Sequence, residues 1–177
     1  ALPEVLAGQP ATQDAAGVAA AGYRHDLALA SEAARFVVSI DGEDDDNLDL
    51  YVLYDANRNG QMDPATEIVG RATGTRGDET VTLAGFRPAG AYQVRVHGVQ
   101  VTGEASTFTL TIDVASTPAA TVQAAAGLPA GAASPVTVCA DAGAFAGFAG
   151  TARGVLLLGP RGAPRLLQLP VTWRAVP

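Results

Sequence analysis

The chain has no lysine. Its eleven basic residues are all arginine, and they nowhere form a run. A surface that displaces counterions from phosphates needs clustered basic residues, so nucleic acid is not an expected partner. Cysteine is almost absent as well. Cys139 stands alone, which rules out an intrachain disulfide. With only His25 and His97 beside it, a zinc site built from Cys and His is also excluded. No stretch approaches the roughly 18 consecutive apolar residues of a membrane span. Aromatic residues make up 6% and charged residues 16%, against 48% hydrophobic residues. A core therefore has to be filled mostly by Val, Leu and Ala, and the apolar content is too high for general disorder. The first residues carry neither a starting Met nor a basic stretch followed by an apolar run. The chain thus reads as a piece of, or a mature part from, a longer protein and not as one that opens on a signal peptide.

What is present is turn chemistry and acid. Gly 20 and Pro 11 supply many turns. The formal net charge is −7, and the acids are unevenly spread: Asp41, Glu43, Asp44, Asp45, Asp46, Asp49 and Asp55 lie within one short stretch. A length of 177 residues allows one domain or two.

Residues 1–22 are rich in Ala and Gly and read as a tail or linker, with a short helix around Asp14–Ala21 as the other option. From Tyr23 the chain breaks into short runs of β type. Leu27–Leu29 is brief. Arg35–Ile40 is fuller. In Leu48–Tyr54, Leu48, Leu50 and Val52 share one face, the mark of a half-buried strand. Glu67–Gly70 and Glu79–Leu83 follow. In Ala91–Val99, Tyr92, Val94 and Val96 oppose Gln93, Arg95 and His97. In Ser106–Val114, Phe108, Leu110 and Ile112 alternate with polar residues. Strands at this spacing with no helical period between them predict an all-β fold, a jelly-roll-like β-sandwich over 23–116. Ser116–Ala120 reads as a linker, and Ala140–Gly150 as a loop. Four further strand candidates, Thr121–Ala125, Pro135–Ala140, Gly154–Leu158 and Arg165–Val171, make 117–177 a smaller β-rich segment. Three arrangements stay open for it: a small sandwich completed by residues 1–20, an incomplete copy of a larger one, or a segment packed on the first domain.

The stretch with chemistry is Asp55 to Glu67. Asp55, Asn57 and Asn59 place side-chain oxygens at alternate positions, and Gly60 follows where the chain must turn sharply. Gln61 offers a backbone carbonyl, Asp63 a further carboxylate, and Glu67 a last one, one residue beyond the usual twelfth position held here by Thr66. Oxygen donors in this order wrap a hard cation, and a loop rich in protein oxygens suits calcium better than magnesium. With three carboxylates the expected affinity is that of an extracellular module, about 10⁻⁵ to 10⁻³ M. The preceding run Leu48–Tyr54 is a strand, so the loop is a rigid connection and not a helix–loop–helix hand. The acids at 41–46 with Asn47 lack the alternating order. They read as a solvated loop, with a second calcium site as the alternative.

No catalytic constellation emerges. There is no G-x-S-x-G elbow, and neither histidine sits in a nucleophile-activating motif. His97, on the polar face of its strand, reads as a surface residue, and Cys139, within Val136–Ala140, as a small buried hydrophobe. The chain is not expected to be an enzyme.

The segment from Phe36 to Val114 resembles the bacterial pre-peptidase C-terminal domain. The likeness is carried by Arg35–Ile40, by Asn47-Leu48-Asp49-Leu50-Tyr51-Val52, and by the late pair Gly90–Val96 and Phe108–Ile112, with an Asp-Leu-Tyr strand and a Gly-x-Tyr strand in the family's order. The tail from Ala152 to Val171 is similar to the fibronectin-like C-terminal segment of subtilisin-type proteases. The resemblance implies a calcium-binding β-sandwich in the non-catalytic C-terminal region of a secreted subtilisin-like protease, where it aids folding, secretion or substrate engagement. The expected partners are the parent protease domain or an extracellular protein substrate. The alternative is a calcium-rigidified structural or adhesive module at the cell surface.

Overall fold

The computed structural model describes residues 3–115, 120–123, 137–140, 150–158 and 167–175. The linker expected at Ser116–Ala120 lies outside them except for Ala120, and the loop expected at Ala140–Gly150 except for its two ends, which belong to strands.

The alternation read from the sequence becomes strands. They are β1 (Glu4–Ala11), β2 (Tyr23–Leu29), β3 (Arg35–Asp41), β4 (Asn47–Tyr54), β5 (Ile68–Ala72), β6 (Glu79–Leu83), β7 (Gly90–Gln100) and β8 (Ser106–Ala115). One sheet has the order β1-β8-β3-β6 and the other β2-β7-β4-β5. Every pairing is antiparallel. These two orders are those of a jelly roll, in which paired strands cross between sheets as interlocked Greek keys. The all-β sandwich expected from the pattern is what forms.

The inward positions meet in one core. Phe36 and Val38 from β3, Leu48, Leu50 and Val52 from β4, Val94 and Val96 from β7, and Leu110 from β8 are fully buried. Each such side chain stabilises by about 1.5–3 kcal/mol through removal from water. Aromatics are few but central. Phe36 meets Tyr92 edge-on, with ring centroids 5.1 Å apart, and Tyr23 meets Phe108 at 5.0 Å. The Tyr92 hydroxyl donates to the Pro88 carbonyl at 2.9 Å, so its polar end is satisfied.

The N-terminal stretch departs from expectation. Residues 4–11 are not a loose tail: they are an edge strand on β8, with a register shift between Leu6 and Gln9. The strand is mostly exposed and holds Pro10, which only an edge tolerates. Such a strand shows almost no alternation. Only a short 3-10 turn, Val18–Ala20, forms in place of a helix. Residues 12–22 instead run as a strap over the outer face of the second sheet. Asp14 N–H donates to Gly98 O at 2.9 Å, and Asp14 Oδ2 accepts from the amides of Gly98 and Gly22. A Cβ on Gly98 would lie 2.2 Å from Thr12 O, so this close approach requires glycine.

Beyond residue 116, β9 (Ala120–Gln123) pairs with β10 (Thr137–Ala140), and β11 (Gly150–Leu158) pairs with β12 (Leu167–Ala175). These are two separate two-stranded ribbons. Residues 4–11, part of the stretch offered to complete a second sandwich, are committed to the first. Cys139 is exposed and not buried. Within the described residues its ribbon has no third strand.

Candidate functional site

Adjacent strands β4 and β5 are joined by the loop 55–67, and the strands fix both its ends. Asp55 N–H donates to Ala91 O on β7 at 3.1 Å, and Tyr54 N–H donates to Glu67 O at 2.9 Å. Asp55 (6% exposed) and Glu67 (3% exposed) are thereby carried into the protein, whereas Asn57, Asn59, Gln61 and Asp63 stay at the surface.

The first half of the loop curls around its own side-chain oxygens. Asp55 Oδ1 accepts from Asn59 N–H at 3.1 Å, and Asp55 Oδ2 accepts from Gly60 N–H at 2.9 Å. Asn57 Oδ1 accepts from Asn59 N–H at 2.9 Å, and Asn59 Oδ1 from Gln61 N–H at 2.8 Å. These are successive Asx turns, which short polar side chains form with the backbone two residues on. Arg58 (φ 59°) and Gly60 (φ 77°) both lie in the left-handed region, which tightens the coil. The expected order of donors therefore has a local physical basis.

The second half is one helical turn. Thr66 and Glu67 N–H donate to Asp63 O at 3.2 and 2.9 Å. Asp63 caps the turn: Oδ1 accepts from Ala65 N–H at 2.8 Å and Oδ2 from the Thr66 hydroxyl at 2.9 Å. Pro64 sits where a missing N–H costs nothing. The Ala65 amide, then the Thr66 hydroxyl, hold the Asp63 carboxyl below the usual carboxylate range. Glu67 Oε2 accepts from Asp63 N–H at 2.8 Å, while Glu67 Oε1 is buried with no hydrogen-bond partner.

Among the described residues, no three Asp, Glu, His or Cys side chains converge. The donor set is mixed, with carboxylates, amide oxygens and a carbonyl in sequence along one loop. A carboxylate offers about four lone-pair sites, so an oxygen that accepts one amide keeps capacity for a cation. Neither Asp55 nor Glu67 is ion-paired among the described residues. Two buried carboxylates without a countercharge, one with an orphaned oxygen, fit a hard, oxygen-seeking cation.

The acidic stretch before β4 divides. Asp41, Glu43, Asp44 and Asp45 are exposed, as a solvated loop requires. Asp46 is the exception, at 1% exposed. Its Oδ1 accepts from Thr102 N–H at 2.6 Å. The Ser106 hydroxyl beside it, and then the Thr102 amide, hold its carboxyl below the usual range. Asp46 Oδ2 and Ser106 Oγ do not reach hydrogen-bond geometry, so the hydroxyl acts as a close dipole. Asp46 pins this loop to the β7–β8 turn.

Pattern reading also missed the outer face of the second sheet. His97 is not a surface residue; it is 4% exposed. Its Nε2 lies 2.8 Å from Ala15 O on the strap, and its Nδ1 lies 3.7 Å from Asp49 Oδ2. Tyr51 donates to Asp49 at 3.0 Å, and burial followed by that bond pushes its hydroxyl up to about 12. Arg95 is 4% exposed as well. It donates to Gln93 Oε1 at 2.6 Å, to Val18 O at 3.4 Å on the strap, and to Met62 O at 3.1 Å on the loop. The only signal for these roles was polar alternation along β7, which says which face a residue takes and not what covers it.

Comparison of the chain with protein-family models and with curated proteins found no match.

Proposed function

We propose that this chain is a calcium-stabilised jelly-roll accessory module of a secreted or cell-surface protein, without catalytic chemistry of its own. Glu67 carries the reading. A carboxylate 3% exposed, with one oxygen partnerless and no ion pair among the described residues, is costly unless a cation neutralises it. Asp55, Asn57, Asn59, Asp63 and Glu67 would hold the ion through side-chain oxygens, and Gln61 through its carbonyl. Bound calcium supplies positive charge that joins the end of β4 to the start of β5. The role is a clamp, since strands and not movable helices flank the loop. The resemblance to pre-peptidase C-terminal domains supports a place behind a secreted subtilisin-like protease, where the module aids folding, secretion or substrate engagement. Its partner there is the protease domain or an extracellular protein substrate.

The test is thermal unfolding in millimolar calcium and again in chelator. Calcium at about a hundredfold over its dissociation constant stabilises by about 2.7 kcal/mol, a rise of roughly 5–10 °C for a chain of this size. Asp55→Ala and Asp63→Ala each abolish the rise, and Asp45→Ala leaves it intact. An unchanged midpoint for the parent chain overturns the calcium reading. For the accessory role, removal of this segment from its full-length protein lowers secreted yield or cleavage of large protein substrates while cleavage of a short peptide persists. Equal performance on all three counts refutes that role.

A further inference from the structure

On the outer face of the second sheet, Arg24 of β2 and Arg95 of β7 stand directly opposite each other in register. Like charges in that relation repel. Burial, and then Arg24, make the Arg95 guanidinium easier to deprotonate than usual. Both line a groove of about 500 Å³ between β2 and the loop 55–67, with Asp26, Gln93, Asp55 and Met62. A groove of this size is in the range of small-ligand sites.

Donor accounting shows what the two arginines lack. Among the described residues neither guanidinium is within ion-pair distance of a carboxylate. Arg95 uses three hydrogen bonds on neutral acceptors, and Arg24 uses two, on Ala21 O and Ala19 O. Each guanidinium has five N–H groups, so both keep donors in hand. The groove's two acids take hydrogen bonds from neutral donors and stand outside ion-pair distance of either arginine. Asp26 Oδ1 accepts from Gln93 Nε2 at 2.7 Å, and Asp55 accepts two loop amides. The two guanidiniums thus keep spare donors and touch no countercharge, although the groove as a whole carries two acids beside them.

We propose that this groove binds a carboxylate, with Arg24 and Arg95 as its hydrogen-bond donors. A planar carboxylate matches the guanidinium fork and relieves the repulsion between the two arginines. The carboxylate comes from a small free acid or from an acidic peptide side chain, and the experiment separates the two sources. The groove shares Asp55 with the proposed calcium site, and the titration is run without calcium so that the two readings fail separately.

The probes are succinate and a capped Asp-Glu-Asp tripeptide, each against its neutral amide counterpart, titrated by NMR on the arginine Nε–H signals. Chelator is present throughout, so that acid held by loop calcium is not counted. At least one acid shifts the Arg24 and Arg95 signals saturably, and the neutral counterparts do not. Whichever acid binds more tightly identifies the source. Arg24→Gln, at an exposed position, weakens binding at least about tenfold by loss of a charge-assisted hydrogen bond. Arg95→Lys, which keeps the charge but loses the fork, weakens it as well. No saturable shift, equal binding of the neutral compounds, or unchanged affinity in Arg24→Gln overturns the proposal.

Discussion

The guanidinium of Arg95 holds the carbonyl of Met62 at 3.1 Å, and with its other nitrogen reaches Val18 O at 3.4 Å. One buried side chain on β7 therefore braces two segments that are 44 residues apart in sequence (62 − 18). Leu53, fully buried although it is outside the main core cluster, lies on this braced face with Asp49 and Tyr51. Arg95→Met leaves the Val18 and Met62 carbonyls without this donor, and destabilises by about 2–4 kcal/mol. Urea unfolding measures the loss. Hydrogen exchange should speed up in both 12–22 and 55–67; faster exchange in only one segment would show that the brace is not shared.

Asp46 predicts an acid dependence. Its folded-state carboxyl is held below the ordinary value, first by Ser106 and then by Thr102. A depressed carboxyl contributes stability that is complete above the unfolded-state value, near 4, and is lost as pH falls through the lower folded-state value. Asp46→Asn therefore shows a flatter decline of stability between about pH 5 and pH 2. It also costs about 1–3 kcal/mol at neutral pH, because the Thr102 amide loses a charged acceptor. Denaturant melts across that pH range test the claim, and a parallel decline in both proteins rejects it.

Gly60 predicts a backbone effect. At φ 77° it takes a conformation that strains any residue with a Cβ, and nothing within 4 Å would obstruct that atom. Gly60→Val thus isolates the backbone term, and should cost about 1–2 kcal/mol. Under the calcium proposal the variant also lowers affinity for the ion, since Gly60 N–H positions Asp55. Calorimetric titration reads the second effect; full retention of affinity would mean that the coil is not needed for the cation.

Gly98 predicts the opposite kind of effect, one of space. Gly98→Ala drives a methyl into the Thr12 carbonyl and lifts the strap from β7. The visible consequence is protease cleavage within 12–22 at lower enzyme concentration, with the sandwich core still folded by circular dichroism. An unaltered cleavage pattern would place the strap elsewhere.

The core supplies a control pair. Phe36→Ala removes a fully buried ring in contact with Tyr92 and costs about 3–5 kcal/mol. Cys139→Ser, at an exposed site, changes stability by no more than about 0.5 kcal/mol. Thermal melts distinguish them, and a large loss from Cys139→Ser would reveal a covering layer over that ribbon.

Seven of the sandwich strands could be read in the chain, because period-two alternation such as Phe108, Leu110 and Ile112 is a local property that follows from which side chains must leave water. The loop was legible for a related reason. Asx turns, a left-handed glycine and an Asp–Pro cap act over two to five residues, so Asp55 to Glu67 announces its shape without the rest of the fold. Burial is different, since it depends on what arrives from far away. Nothing near Asp46 distinguishes it from Asp45, yet Thr102 and Ser106 select it. Nothing near His97 or Arg95 foretells the strap that covers them, and β1 joins the sheet on an edge where alternation is not demanded. Local chemistry settled the strands and the curl of the loop 55–67. Long-range packing, which alone removes a charged group from water, settled which carboxylates and guanidinium carry weight.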